Sequence, residues 1–263
     1  MTDLIFDATP VAQHNRVPAV TVDFWLIKLM AVTVGETFAD YMNLDLGFGL
    51  TRTSIFLGLV LAVILTLQFA RRRYVPAIYW SAVVLISVVG TLITDNLTDV
   101  AGVPLPVSAL GFTAALGLTF WLWYRSEGTL SIHSIMTARR EAWYWLAILF
   151  TFALGTAAGD LVAEHFALGY LQTGVLFALC IAAIAFGHFV LKMDAILAFW
   201  LAYILTRPLG ASFGDLLSQP VENGGLGLGT IVTSFLFLAA IATIVVYMTV
   251  LHYGYQKDVT IEK

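Results

Sequence analysis

One register of tryptophan, glycine and aspartate recurs four times along the chain. In each copy a glycine follows the tryptophan by ten residues, and an aspartate follows it by fifteen. The tryptophans are Trp25, Trp80, Trp145 and Trp200, the glycines are Gly35, Gly90, Gly155 and Gly210, and the aspartates are Asp40, Asp95, Asp160 and Asp215. Successive tryptophans are 55, 65 and 55 residues apart. Self-similarity of this kind indicates four copies of one structural unit.

Each copy lies in apolar sequence long enough to cross a bilayer. An α-helix needs about 20 residues to span the hydrocarbon core. Eight stretches meet this length, at 20–44, 50–70, 77–98, 104–124, 142–165, 169–191, 195–218 and 227–251. The chain is 60% hydrophobic and 11% charged, which is typical of polytopic membrane proteins. We therefore predict an all-α protein with eight transmembrane helices.

Two spans make up each repeat, so every copy enters the membrane in the same direction. Parallel repeats of this kind are related by an axis along the membrane normal. The expected symmetry is pseudo-fourfold, or pseudo-twofold if two repeats form the ancestral half. The predicted organisation is an N-terminal segment at 1–19, one transmembrane domain at 20–251 and a tail at 252–263, with repeats at 20–73, 75–125, 140–192 and 195–251.

Basic residues collect on one side of the predicted spans. They are Arg71, Arg72, Arg73, Arg125, Arg139, Arg140, Lys192, Lys257 and Lys263, whereas Arg52 alone falls on the other side. Because cytoplasmic loops carry an excess of Lys and Arg, both termini are predicted to be cytoplasmic. The loop at 125–141 is expected to be solvated, and the four tryptophans are expected to anchor helix starts at the cytoplasmic interface.

The four hairpins resemble a family of bacterial membrane proteins built from four tandem two-helix repeats, each with a tryptophan. The resemblance covers the chain from about Trp25 to His252. It implies the fold and a multi-pass location in the bacterial inner membrane. It implies no activity, because the family is uncharacterised.

The repeated glycines predict close helix packing. Another small residue follows each of them by four positions, at Ala39, Thr94, Gly159 and Gly214. Small residues at this spacing let helix backbones approach closely in lipid. We therefore expect the odd-numbered helices to pack together along this face.

The repeated aspartates are the main candidates for a functional site. Further acids lie one helical turn away, because Glu36 precedes Asp40, Asp99 follows Asp95 and Glu164 follows Asp160. Carboxylates inside a membrane usually face a polar cavity or a partner, and hard cations prefer oxygen ligands. The predicted cation ligands are Asp40, Asp95, Asp160, Asp215, Asp99, Glu164 and Glu36. Alternatively, the four repeated aspartates cap the helix or loop that follows them.

Two bases lie well inside predicted spans. Arg207, next to Pro208, lies in the middle of a span and needs a partner there. Glu36 is an acid at similar depth, so we predict an ion pair between the first and seventh helices. Lys28 is expected to extend to the inner interface.

These residues favour a small-cation transporter or channel. A divalent cation of the Mn or Mg class is the preferred substrate, and transport is expected to be passive or proton-coupled, because the chain has no nucleotide-binding motif. No cofactor is expected beyond a bound divalent cation. The expected partners are the bilayer and the cation, self-association stays open, and a net charge of −4 gives no basic surface for nucleic acid.

Two other functions stay open. The first is an intramembrane metal-dependent enzyme acting on lipid, for which Asp160, Glu164 and His165 are the best site. His188 is the other candidate zinc ligand, but neither histidine recurs in another repeat. The second is a non-catalytic sensor or assembly factor that binds a ligand through the acids.

Overall fold

A computed structural model describes residues 15–261, with the backbone alone at Leu44 and at 251–261. Within this range the chain forms eight α-helices and no strand. They are α1 (Val22–Asp40), α2 (Leu50–Phe69), α3 (Pro76–Asp95), α4 (Leu105–Glu127), α5 (Ala138–Asp160), α6 (Tyr170–Phe189), α7 (Ala195–Ser218) and α8 (Thr230–Ile261). The predicted stretches match these helices to within a few residues, except that α8 continues into the predicted tail. Residues 1–14 of the predicted N-terminal segment and Lys263 of the tail lie outside the described residues.

Seven of the helices are long and apolar enough to cross a membrane, which identifies a multi-pass membrane protein. The exception is α1, whose 19 residues include the charged residues Asp23, Lys28, Glu36 and Asp40. Between 56% and 67% of α3, α5 and α7 is buried in the protein, against 17–22% of α2, α4, α6 and α8. The even-numbered helices therefore form the outer layer.

Helices α1, α3, α5 and α7 form a closed ring. Each packs against the next, and α7 returns to pack against α1. Outside the ring, α2 packs on α3, α4 on α5, α6 on α7 and α8 on α1. The second helix of each repeat therefore covers the first helix of the following repeat. We call these four odd-numbered helices the four-helix ring, and we name its two ends the tryptophan end and the aspartate end after the repeated residues there.

The repeated glycines lie where neighbouring ring helices come closest. A Cβ atom added at any of them would lie within 3.0 Å of a side chain on the next ring helix, a distance that real Cβ atoms essentially never show. The pairs are Gly35 with Ser87, Gly90 with Phe152, Gly155 with Arg207 and Gly210 with Val32. All four partners stand seven residues after a repeated tryptophan. The same close approach therefore joins the ring helices four times, and it also shows that they run parallel.

Three ring helices change their winding directly after the repeated aspartate. Residues Tyr41–Asp45, Asn96–Val100 and Leu161–His165 form π-helical turns. In the first of them the amide of Leu46 donates to the carbonyl of Tyr41 over 3.0 Å. The fourth repeat differs, because α7 stays α-helical through Asp215 to Ser218.

The loop at the tryptophan end is only partly solvated, so the expectation of a solvated loop at 125–141 holds for part of its residues. Ile132 and Ile135 in this loop are buried. The Asn15 side chain holds them by donating to the carbonyl of Ile132 over 3.1 Å and accepting from the amide of Ile135 over 3.0 Å. Nearby, Arg16 Nη1 lies 2.6 Å from Oε2 of the buried Glu141. The polar composition of the loop does not predict this packing, because the packing depends on Asn15, which is distant in sequence.

The repeated tryptophans are mostly core residues, which corrects their predicted role as interface anchors. Trp80, Trp145 and Trp200 are at most 4% exposed, whereas Trp25 is partly exposed. The buried indole nitrogens donate to Tyr74 Oη over 3.0 Å, to Glu141 Oε1 over 3.4 Å and to the carbonyl of Leu130 over 3.0 Å, in chain order. A buried indole needs such an acceptor, and here the segments before α3 and α5 and the first turn of α5 provide it.

Candidate functional site

A single buried arginine links all four helices of the ring. Arg207 on α7 donates through Nη2 to Glu36 Oε2 on α1 over 2.9 Å and to Thr156 Oγ1 on α5 over 2.7 Å. The same nitrogen also donates to Thr91 Oγ1 on α3. Because these partners come from three different helices, the guanidinium lies at the centre of the ring. The structure thus brings together the acid and the base that the sequence places at similar depth.

The repeat explains how Arg207 reaches the centre. Its Cβ and Cγ atoms lie against Gly155, where any side chain would collide with them. Its partners Glu36, Thr91 and Thr156 each directly follow a repeated glycine. Three equivalent positions therefore bind one nitrogen from the fourth repeat. Pro208 follows directly inside α7, where it removes a helical hydrogen-bond donor.

The repeated aspartates form the next layer toward the aspartate end. Each follows by four residues the position that contacts Arg207, or Ala211 in the fourth repeat. Four residues of α-helix advance about 6 Å and rotate about 40°, so the aspartates lie on the face that points to the centre. The acidic layer consists of Asp40, Asp95, Asp160 and Asp215, which are all partly exposed. Because Glu36, Thr91 and Thr156, one turn earlier, all contact Arg207, the repeated carboxylates lie around the same axis one turn further along the ring.

The protein itself provides few hydrogen bonds to the acidic layer. Gln219 Nε2 donates to Asp40 Oδ2 over 3.3 Å. From residues 15 to 250, no side-chain or backbone donor reaches the carboxylates of Asp95, Asp160 or Asp215. The alternative that the aspartates are helix caps is wrong for this structure. Asp40, Asp95 and Asp160 make no capping hydrogen bond to the turns that follow, and Asp215 lies inside α7.

Two predicted ligands lie at the rim of the acidic layer. Asp99 and Glu164 are exposed on the π-helical turns, and Asp99 accepts a hydrogen bond from Thr98 Oγ1 over 2.9 Å. Their predicted place on the same helix face as Asp95 and Asp160 requires a continuous α-helix. The winding changes to π-helical directly after these two aspartates, so that prediction does not hold.

The two histidines are far from sharing a metal ion. His165 is exposed beyond α5, at the aspartate end, whereas His188 lies at the opposite end of α6 with Nδ1 3.0 Å from the carbonyl of Met193. In the part of the chain that the structure describes, no three His, Cys, Asp or Glu side chains are arranged to hold a metal ion. The acidic layer is thus a group of neighbouring carboxylates and not a preformed coordination shell.

Lys28 is buried inside the ring, so its predicted position at the interface is wrong. Its side chain is fully buried, and Nζ donates to the carbonyl of Tyr203 over 2.9 Å and to Thr206 Oγ1. The repeat alignment contains the signal that reveals this. The positions equivalent to Lys28 are Val83, Ile148 and Tyr203, which are all buried. Lys28 occupies a core position, and a side chain there points inward whatever its charge.

Comparison with known proteins identifies the repeat. No curated protein and no solved structure matches the chain. One family model, described as Repeat of Unknown Function (DUF347), matches residues 24–74, 78–129, 143–193 and 198–252. Each match covers most of one ring helix and of the outer helix that follows it, and together the four matches cover most of the sequence. The resemblance to a family of four tandem two-helix repeats is therefore confirmed, and the chain belongs to the family described as Repeat of Unknown Function (DUF347).

Proposed function

We propose that the protein transports a small cation across the membrane and that the acidic layer binds this cation. The observation that carries the proposal is the register that puts four partly exposed carboxylates, one from each repeat, one helical turn beyond the Arg207 contacts at the centre of the ring. Carboxylates that are gathered at membrane depth mark ion pathways and proton relays. Each of the four repeats thus contributes one carboxylate, at the same position of the repeat.

The charges at this end of the ring favour a cation. Arg207 lies one helical turn from the acidic layer, and its Nη2 is already bound to Glu36. The repeated aspartates therefore keep an excess of negative charge, which repels itself strongly where the protein limits access of water. Bound cations or protons relieve this repulsion. Oxygen ligands suit hard divalent ions, so Mn²⁺ and Mg²⁺ are our first candidates.

Buried nitrogens of Arg207 support a hydrated site. Its Nε and Nη1 atoms are buried and have no hydrogen-bond acceptor in the described protein. Buried polar groups in proteins are almost always satisfied by protein or by ordered water. Water next to Arg207 would be continuous with the partly exposed acidic layer, one helical turn away. A hydrated layer of this kind lets a cation exchange its water ligands for carboxylates stepwise.

We propose that the ring stands upright in a bacterial inner membrane with pseudo-fourfold symmetry. Helix α1 is then the eighth span, because the ring encloses its Lys28, Glu36 and Asp40 side chains. The loops with Arg71–73 and with Arg125, Arg139 and Arg140 leave the ring at the tryptophan end. The excess of positive charge there supports a cytoplasmic tryptophan end and cytoplasmic termini.

Flux through purified protein in proteoliposomes tests the function. A fluorophore that Mn²⁺ quenches is trapped inside the vesicles, and Mn²⁺ is added outside. We expect uptake by the wild type and reduced uptake by the Asp→Asn variants at 40, 95, 160 and 215. Glu222→Gln is the matched control, because it removes an exposed negative charge outside the ring. Binding without uptake would indicate a sensor, and wild-type uptake by all four variants would contradict the proposal.

Cysteine labelling tests the orientation. Cys180 is replaced by serine, and single cysteines are introduced at 71–73 and at 130, 133, 136 and 137, where the side chains are not buried. A reagent that cannot cross membranes should reach these cysteines from the cytoplasmic side only. Labelling at 130 from the periplasmic side would reverse the proposed orientation without affecting the ring itself.

A further inference from the structure

Positive charge is concentrated on one half of the tryptophan end. Arg71, Arg72 and Arg73 follow α2, and Arg125 lies in the last turn of α4, and all four side chains are exposed. Because α2 packs on α3 and α4 packs on α5, and because α3 and α5 are neighbours in the ring, the four arginines lie on the same half. We call these four arginines the basic patch.

The basic patch has no carboxylate to pair with. On this half of the tryptophan end, Glu127 pairs with Arg139 over 3.4 Å and with Arg140 over 3.1 Å, and Glu141 pairs with Arg16 over 2.6 Å. Among the side chains that the structure describes, no carboxylate lies within ion-pair distance of the basic patch. The four guanidinium groups are therefore free to bind an external anion.

The other half of the tryptophan end, formed by α1 and α7, has a different charge. Lys192, which precedes α7, is exposed there, but so are the carboxylates of Asp23 on α1 and Asp194 directly before α7. An anion at this end of the ring is thus attracted to the half that carries the basic patch.

An apolar stripe on α4 leads to the basic patch. Leu118, Trp121 and Leu122 are exposed, and they stand seven, four and three residues before Arg125, so the four side chains share one helix face. The guanidinium carbon of Arg125 lies 5.1 Å from the ring centroid of Trp121. This cation–π contact holds the charge beside a tryptophan, the residue type that membrane proteins place at the interface between lipid and water.

The exposed face of α2 ends in the same way. Leu59, Val63 and Leu67 are exposed and follow one another at intervals of four residues. Helix α2 ends at Phe69, directly before the arginines at 71–73. On both outer helices an apolar stripe that faces the bilayer therefore ends at unpaired bases. This arrangement matches the two parts of a phospholipid, since the stripes suit acyl chains and the bases suit a phosphate group.

We propose that the basic patch binds the headgroups of anionic phospholipids, whose acyl chains lie along the exposed stripes of α2 and α4. Guanidinium groups donate paired hydrogen bonds to phosphate oxygens, and clustered bases next to a membrane span attract anionic lipids. The inference depends on neither cation transport nor the orientation in the membrane, because it concerns the charges and apolar faces alone.

Lipid binding to the purified protein in detergent tests the proposal. Native mass spectrometry compares the affinity for phosphatidylglycerol with that for phosphatidylcholine of the same acyl chains, which has a phosphate but no net charge. We expect the wild type to prefer phosphatidylglycerol. Arg72→Gln combined with Arg125→Gln should reduce this preference at least about fivefold, because each base near the surface contributes roughly that factor.

A matched control removes the same amount of charge outside the basic patch. Arg52→Gln combined with Lys192→Gln also neutralises two exposed bases, and it should keep the wild-type preference. Arg72→Lys combined with Arg125→Lys keeps both charges and should retain most of the preference. Because all of these side chains are exposed, the thermal unfolding temperatures without lipid should equal that of the wild type.

Three results would overturn the proposal. An unchanged preference in the Arg72→Gln/Arg125→Gln variant would mean that the basic patch binds no lipid. An equal loss in this variant and in the matched control would mean that total charge, and not the patch, attracts the lipid. Displacement of phosphatidylglycerol by an equal concentration of inorganic phosphate would mean that the patch is a site for free phosphate.

Discussion

The two ends of the four-helix ring come from the same repeats, but they treat their polar groups differently. At the tryptophan end many polar side chains bind one another, as in the contact of 2.5 Å between the hydroxyls of the buried Tyr79 and Tyr144. The Tyr203 hydroxyl and the Trp123 indole nitrogen are exceptions, because they have no partner among the described residues. At the aspartate end three of the four repeated carboxylates lack a hydrogen bond from the described protein. In a membrane an unsatisfied polar group is costly, so a protein keeps it only where water or a ligand contacts it. The tryptophan end thus maintains the fold, and the aspartate end is available for binding.

Between these ends the symmetry of the repeats breaks down. The first repeat contributes Lys28 and Glu36 to the centre of the ring, and the fourth contributes Arg207. The second and third contribute the neutral hydroxyls of Thr91 and Thr156. Four copies of one hairpin therefore build the frame, while substitutions in two copies determine its central charges.

The largest effect should come from Arg207→Ala. This change leaves Glu36 buried without its base and frees two buried hydroxyls, so we expect a loss of about 3–5 kcal/mol in the free energy of unfolding. Adding Glu36→Gln should recover part of this loss, because the uncompensated charge is removed. Denaturation of the four proteins in detergent measures the coupling.

Arg52→Ala is the control for this cycle, because Arg52 is an exposed arginine at the aspartate end. Its effect should stay within about 0.5 kcal/mol. Strictly additive losses for Arg207→Ala and Glu36→Gln would show that the contact of 2.9 Å contributes no coupling.

A smaller loss is expected for Gly155→Ala. The added methyl group would collide with the stem of Arg207, and overpacking of this kind costs about 1–3 kcal/mol. Gly117→Ala on α4 is the matched control, because nothing lies within 4 Å of a Cβ atom there. Equal thermal unfolding temperatures for the two variants would argue against close packing at the repeated glycines.

The smallest of these effects is expected for Tyr144→Phe at the tryptophan end. It removes one buried hydroxyl from the pair with Tyr79, so a loss of about 1 kcal/mol in the free energy of unfolding is expected. Mn²⁺ binding should not change, because the aspartate end is untouched. Tyr124→Phe, at a tyrosine that is 59% exposed, is the control. Weaker Mn²⁺ binding by Tyr144→Phe alone would mean that the two ends are coupled.

The arrangement of the helices could be predicted from the sequence, because the repeat shows which positions are equivalent. The eight helices, the register of Gly155 and its equivalents, and the shared depth of Glu36 and Arg207 all follow from apolar length and spacing. The buried position of Lys28 follows from the same alignment. The prediction placed Lys28 at the interface instead, because a lysine side chain is long enough to reach it.

Other features depend on contacts that have no local signature. The indole of Trp200 donates to the carbonyl of Leu130, which lies 70 residues away in sequence, and the amide of Ile135 donates to Asn15, which lies 120 residues away. The π-helical turns after Asp95 and Asp160 changed the geometry on which the paired acids were predicted. Apolar length and helical spacing do not encode these contacts between distant segments.

The most direct test of the account is Mn²⁺ binding to purified protein that carries Asp→Asn at all four positions of the acidic layer. Titration calorimetry in detergent compares it with the wild type and with Glu222→Gln. We predict binding by the wild type and the control, weaker binding as the pH falls because protons compete for the same oxygens, and no binding by the fourfold variant. A folded fourfold variant that binds Mn²⁺ with wild-type affinity would contradict the claim that the acidic layer is the cation site.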